Sequence, residues 1–126
     1  MKKLIKEQII KLHSMAIKQS GGMNGVRDDG LLDLALNSPF QTFENAELYP
    51  SIQSKAAHLC FSLISNHPFI DGNKRIGILA MLVFLDVNQI MIDCSDEDVI
   101  DLGLGVASGK YKTDYIMTWI INHSSN

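Results

Sequence analysis

The stretch that most limits the possible folds is Ile76-Gly77-Ile78-Leu79-Ala80-Met81-Leu82-Val83-Phe84-Leu85. Its ten residues carry no charge and no strong hydrogen-bonding side chain. Wound as a helix, it is apolar nearly all round, and such a helix has to be enclosed by others. Ten residues also fall well short of the ~18 that a membrane span requires. The expectation is a buried central helix, from about Gly72 or Asn73 to Val87, inside an all-α bundle.

The flanking sequence supplies the surrounding helices. Ile9, Leu12, His13, Ala16 and Ile17 recur at helical spacing between Glu7 and Ser20, and Gly21-Gly22 provides a stop. His13 lies on or beside that stripe and reads as a core or boundary histidine in preference to a catalytic one. Asp28 or Asp29 can cap a second helix over about Gly30 to Asn37. Arg27 could reach a phosphate, but pairing with a nearby Asp is the preferred reading. Residues 40–50 form a long linker carrying Phe40, Phe43 and Tyr49, a candidate flap over a site.

Ser51 is positioned to cap a third helix, Ile52 to about Asn66, with Lys55 and His58 off its apolar stripe or at its edge. Beyond the central helix, Ser95 followed by three acids marks a fifth, to about Ser108. Thr113 or Asp114 opens a sixth, and 123–126 is expected to fray, with His123 solvated. No sustained alternation suggests a sheet. The prediction is a single domain, 1–126, of about six helices.

Composition bounds the function. A net charge of −3 and a pI near 5.7 argue against nucleic-acid binding through a broad basic face. Lys2, Lys3, Lys6 and Lys11 are interrupted by Glu7 and read as a solvated face. Cys60 and Cys94 have no His or Cys partner at a metal-site spacing, which suits a reducing cytoplasm. Met1 to Lys6 has charges but no apolar segment after them, so no signal peptide is expected.

The chemistry concentrates just before the apolar run, in His67-Pro68-Phe69-Ile70-Asp71-Gly72-Asn73-Lys74-Arg75. Lys74 and Arg75 fall in the first turn of the central helix. The macrodipole disfavours each there by roughly 0.3–1 kcal/mol. An anion would justify them, because the unpaired N–H groups of a helix start, a Lys point charge and an Arg fork together suit phosphates. Gly72 lets the backbone approach closely. One carboxylate, Asp71, with phosphate oxygens and water, is a usual way to hold Mg²⁺. An imidazole such as that of His67 is the side chain suited to accepting a hydroxyl proton near neutral pH. Base, metal carboxylate and anion cradle make a phosphoryl- or nucleotidyl-transfer site. The plainer alternative makes Asp71 and Asn73 helix caps and His67 a turn residue. A Walker P-loop is excluded, since its first glycine would fall at His67 and its Ser/Thr at Arg75.

These nine residues resemble the signature of the Fic/Doc family, His-x-Phe-x-(Asp/Glu)-(Gly/Ala)-Asn-(Gly/Lys)-Arg. Leu12-His13, Gly21-Gly22, Gly25-Val26-Arg27-Asp28, Leu48-Tyr49-Pro50, Lys55-Ala56-Ala57 and Val106-Ala107-Ser108-Gly109 look like its death-on-curing (Doc) branch. The resemblance implies a compact helical domain that uses ATP and Mg²⁺. His67 would be the general base, Asp71 the Mg²⁺ carboxylate, and Gly72, Asn73, Lys74 and Arg75 the phosphate cradle. Phe69 would anchor the loop in the core.

AMP-transferring members of the family have Gly where this chain has Lys74, and a second Arg where it has Ile78. The resemblance therefore implies a Doc-type kinase toxin that passes the ATP γ-phosphate to a threonine of elongation factor Tu. It also implies an antitoxin whose C-terminal segment folds onto the toxin. AMP transfer and a non-catalytic anion-binding protein are the alternatives.

Overall fold

In the computed structural model, which describes residues 1–125, six helices account for nearly all the regular structure. They are α1 (Lys6–Ser20), α2 (Asp29–Asn37), α3 (Ile52–Asn66), α4 (Asn73–Val87), α5 (Asp96–Ala107) and α6 (Thr113–His123). The all-α expectation holds. A two-stranded hairpin, β1 (Thr42–Phe43) and β2 (Ala46–Glu47), interrupts the 40–50 linker.

α3 and α4 are the centre. Ser51 Oγ accepts the Ser54 N–H at 3.0 Å and starts α3. Ala56, Cys60, Leu63 and Ile64 then bury against Ile76, Ala80, Met81 and Leu85 of α4. The two helices meet at Gly77, where a Cβ would come within 2.5 Å of Ile64 Cγ1 and 3.1 Å of the Cys60 carbonyl oxygen. Only glycine permits that approach. Cys60 is wholly enclosed, and burial pushes its thiol up to about 12. The signature stretch is thus the connection between the two core helices.

α1 and α5 flank α4, and α2 and α6 lie against α3. α5 starts with the capping box read from the sequence: Ser95 Oγ accepts from the Asp98 N–H at 3.1 Å, and Asp98 Oδ2 accepts from the Ser95 N–H at 3.0 Å. No helix among the described residues is long and apolar enough to cross a membrane.

Three expectations need correction. Lys55 is not at the edge of the stripe but wholly buried, where it donates to the Tyr49 carbonyl oxygen and pairs with Glu47 at 3.0 Å. It fastens the hairpin to the start of α3. That attachment is about 18 Å along the helix from His67, taking 1.5 Å per residue. His123 is not simply solvated: it stacks on Trp119 with ring centroids 4.1 Å apart, and its Nδ1 donates to the Trp119 carbonyl oxygen at 2.7 Å. The tail before Asn126 is tied, with Ile92 bridged to Ser124 and the Asp93 N–H donating to the His123 carbonyl oxygen at 2.8 Å. Asn126 lies outside the described residues.

Candidate active site

The site is built on two sharp backbone positions. Pro68 disfavours a helical conformation at the residue before it, and His67 leaves α3 in the left-handed region, at φ 49° and ψ 56°. Gly72 enters α4 at φ 76°, a conformation that costs glycine nothing. Between them Phe69 turns inward to 1% exposure and anchors the loop, while His67, Asp71, Lys74 and Arg75 remain exposed.

A second segment holds this loop from outside. Residues 25–28 run beside 68–70 with a bridge between Val26 and Phe69. The Arg27 and Asp28 N–H groups donate to the Pro68 carbonyl oxygen at 2.8 and 3.0 Å, and the Ile70 N–H donates to the Gly25 carbonyl oxygen at 3.0 Å. Among the described residues Arg27 makes no ion pair with an Asp. Its Nε donates to the His67 carbonyl oxygen at 2.7 Å and its Nη2 to that of Asn66 at 3.0 Å. A cation thereby meets the negative end of α3 and fixes the strained His67 backbone.

Asn73 is 8% exposed, and its side chain faces the loop. Its Oδ1 accepts the Phe69 N–H and its Nδ2 donates to the Phe69 carbonyl oxygen, both at 3.0 Å. What Asn73 offers outward is its backbone N–H. α4 has no side-chain cap and no acid in its first turn, so the N–H groups of Asn73, Lys74 and Arg75 have no partner among the described residues. Arg75 Nη1 donates to the Gly21 carbonyl oxygen at 3.3 Å, while Lys74 has no hydrogen-bond or ionic partner there.

Asp71 accepts the Met23 N–H on Oδ2 at 3.1 Å and its neighbour Gly72's N–H on Oδ1 at 2.8 Å. These two bonds, led by that from Met23, hold its carboxyl below the usual carboxylate range, with Arg75 adding to the effect. No group of three or more His, Cys, Asp or Glu among the described residues could hold a metal ion. A cation here would therefore rely on one ionised, exposed carboxylate and on oxygens from a substrate. Asp71 fits that Mg²⁺ mode.

Beside Lys74 and Arg75 lies an apolar cavity of about 490 Å³ between α1, α4 and α5, walled by Ile78, Leu82, Val99 and Leu104 among others. It is large enough for a nucleoside. The sequence reading did not foresee the clamping roles of Arg27 and Asn73. Asn73 stands four residues after Phe69 and Arg27 forty before His67. Only the former spacing could have been noticed.

Known proteins resemble this chain in sequence. The sequence model of the Fic/DOC family matches residues 3–85. The chain is similar to Toxin Doc of Mycolicibacterium smegmatis (strain ATCC 700084 / mc(2)155), with 40% identity over 96 residues, covering 76% of this chain and 71% of the relative. It is also similar to Protein kinase doc of Escherichia phage P1, with 28% identity over 110 residues, covering 87% and 86%. A left-handed His67, a buried Phe69 and the uncapped start of α4 thus sit within a matched length of sequence, and the chain belongs to the Fic/Doc family, in its death-on-curing branch.

Proposed function

We propose that this chain is a Doc-type toxin: a protein kinase that transfers the γ-phosphate of ATP to a threonine of elongation factor Tu and so stops translation. Its relatives are a toxin and a protein kinase by name. The observation that carries the reading is the uncapped start of α4. Three unpartnered N–H groups and the Lys74 ammonium stand there beside the ionised Asp71 and the exposed His67. The adjoining cavity supports a nucleotide over a bare phosphate. Lys74 and Ile78, in place of the Gly and Arg of AMP-transferring relatives, favour attack at the γ-phosphate.

In this reading His67 takes the proton of the threonine hydroxyl as its oxygen bonds to phosphorus. The bond from the γ-phosphorus to the bridging oxygen breaks, and ADP leaves. The helix-start amides, Lys74 and Arg75 hold the phosphates and stabilise charge that builds on them. Mg²⁺, held by Asp71, would supply further neutralisation of that charge. A small antitoxin, its C-terminal segment folding on contact, would hold the toxin inactive in the cytoplasm.

The test is incubation with elongation factor Tu and ATP labelled separately at the α- and γ-phosphates. The γ-label should appear on a threonine, and His67→Ala should abolish it. Transfer of the α-label would instead identify an AMP transferase. Toxicity that survives His67→Ala would leave anion binding as the function.

A further inference from the structure

The geometry points to His13 of α1 as a positioning residue for the transfer site, acting through the Asp71–Gly72 peptide. His13 is 1% exposed. Its ring lies flat on Phe69, with centroids 3.8 Å apart and planes 12° apart. Its Nε2 meets the Asp71 carbonyl oxygen at 2.6 Å. A carbonyl only accepts, so Nε2 carries the proton and donates. Nδ1 is then a buried acceptor, and it has no partner among the described residues.

That unpartnered nitrogen is informative. If the ring served only to pack on Phe69, a phenyl group would fill the place without enclosing an unsatisfied polar atom. Keeping the imidazole makes sense if its Nε2–H is needed. The carbonyl it holds belongs to the peptide that leads into α4. Fixing that carbonyl fixes the opposite edge of the same planar peptide, the Gly72 N–H that donates to Asp71 Oδ1. One bond from a different helix therefore helps to aim the Asp71 carboxylate, which the Met23 N–H also holds, and the amides that begin α4. The contact is close on the other side as well: a Cβ on Gly72 would lie 3.5 Å from Nε2.

Two variants of the full chain separate this role from simple packing. His13→Phe keeps a flat ring on Phe69 and loses the donor. His13→Gln loses the ring but places an amide N–H near the Nε2 position. His13→Phe is expected to melt within a few degrees of wild type. Its kcat for whichever ATP phosphate the wild-type protein transfers should nevertheless fall by about 10–100-fold, the scale of a misplacement near 1 Å, with KM for ATP changed less than about threefold. His13→Gln should melt lower yet recover at least about tenfold of that loss. The opposite ranking of stability and activity is what packing alone would not produce. Wild-type kcat in His13→Phe, or activity that tracks melting temperature across both variants, overturns the proposal.

The activity arm rests on the phosphotransfer reading, so a second arm does not. In ¹H–¹⁵N spectra, the Gly72 to Arg75 amides should shift in His13→Phe and return toward wild type in His13→Gln. Unmoved amides in His13→Phe would overturn the proposal even for a chain that transfers nothing. A wild-type protein that transfers no γ-phosphate would sink the kinase reading and leave this arm intact.

Discussion

Replacing Asn73 by Ala separates two roles that the signature alone cannot distinguish. As a phosphate ligand, the side chain would matter to ATP and little to folding. The structure instead commits it to the N–H and carbonyl of Phe69, both at 3.0 Å, within a buried loop. Alanine leaves a donor and an acceptor unpaired there. Each orphaned group costs about 1–3 kcal/mol, and partial relaxation or an admitted water brings the expected total to about 3 kcal/mol. For a domain of this size that is a fall in Tm of roughly 10 °C. Calorimetry or a thermal melt by circular dichroism reads it directly. Lys74→Ala is the internal control: the ammonium is exposed and unpartnered among the described residues, so its Tm should stay within about 2 °C, while its KM for ATP rises. If Asn73→Ala melts like wild type and only its KM rises, the side chain turns outward to the phosphates and the clamp is refuted.

Arg27→Ala should uncap the α3 carbonyls of Asn66 and His67, lowering stability by about 1–3 kcal/mol in urea melts and reducing transfer by more than the unfolded fraction explains. Unchanged transfer would show that the His67 backbone holds without it. Acid should also weaken the loop. The folded Asp71 carboxyl sits below its ordinary value of 3.8, so its contribution to stability is present above that value and is lost as pH falls through the lower folded one. Urea midpoints should therefore drop as the pH falls below about 4, and less steeply in Asp71→Asn. Equal slopes would mean that the Met23 and Gly72 bonds do not depend on the charge.

What could be read from the sequence was what repeats along it. The α4 stripe is apolar on every side, so its burial and its enclosure by helices followed directly. Ser51 and Ser95 sit where their neighbours demand caps, and both helices begin there. Lys74 and Arg75 were expected in the first turn of α4, and the structure places them there, exposed at an uncapped start. Lys55 could not be read in this way: a lysine on a helix is ordinarily solvated, and only the folded hairpin, bringing the Tyr49 carbonyl and Glu47 over it, makes burial tolerable. Arg27 failed for a related reason. Its partners are backbone carbonyls at a helix end, which carry no side-chain signal, whereas neighbouring aspartates are conspicuous. His13 was legible as buried, but its partner is a peptide carbonyl 58 residues away.

The strap of residues 25–28 along 68–70 has a kinetic consequence. Its bonds join segments about forty positions apart, and the Arg27 clamp on His67 spans the same separation. Contacts of that range form late, because the loop they close must first lose its entropy. A chain still emerging from the ribosome has the strap in place well before the residues it must hold. On the proposed function, a phosphate cradle assembled in this way becomes competent only after the core has collapsed around α4. On the same reading, a nascent or truncated chain lacking either segment would transfer no phosphate, even with every residue of the signature present.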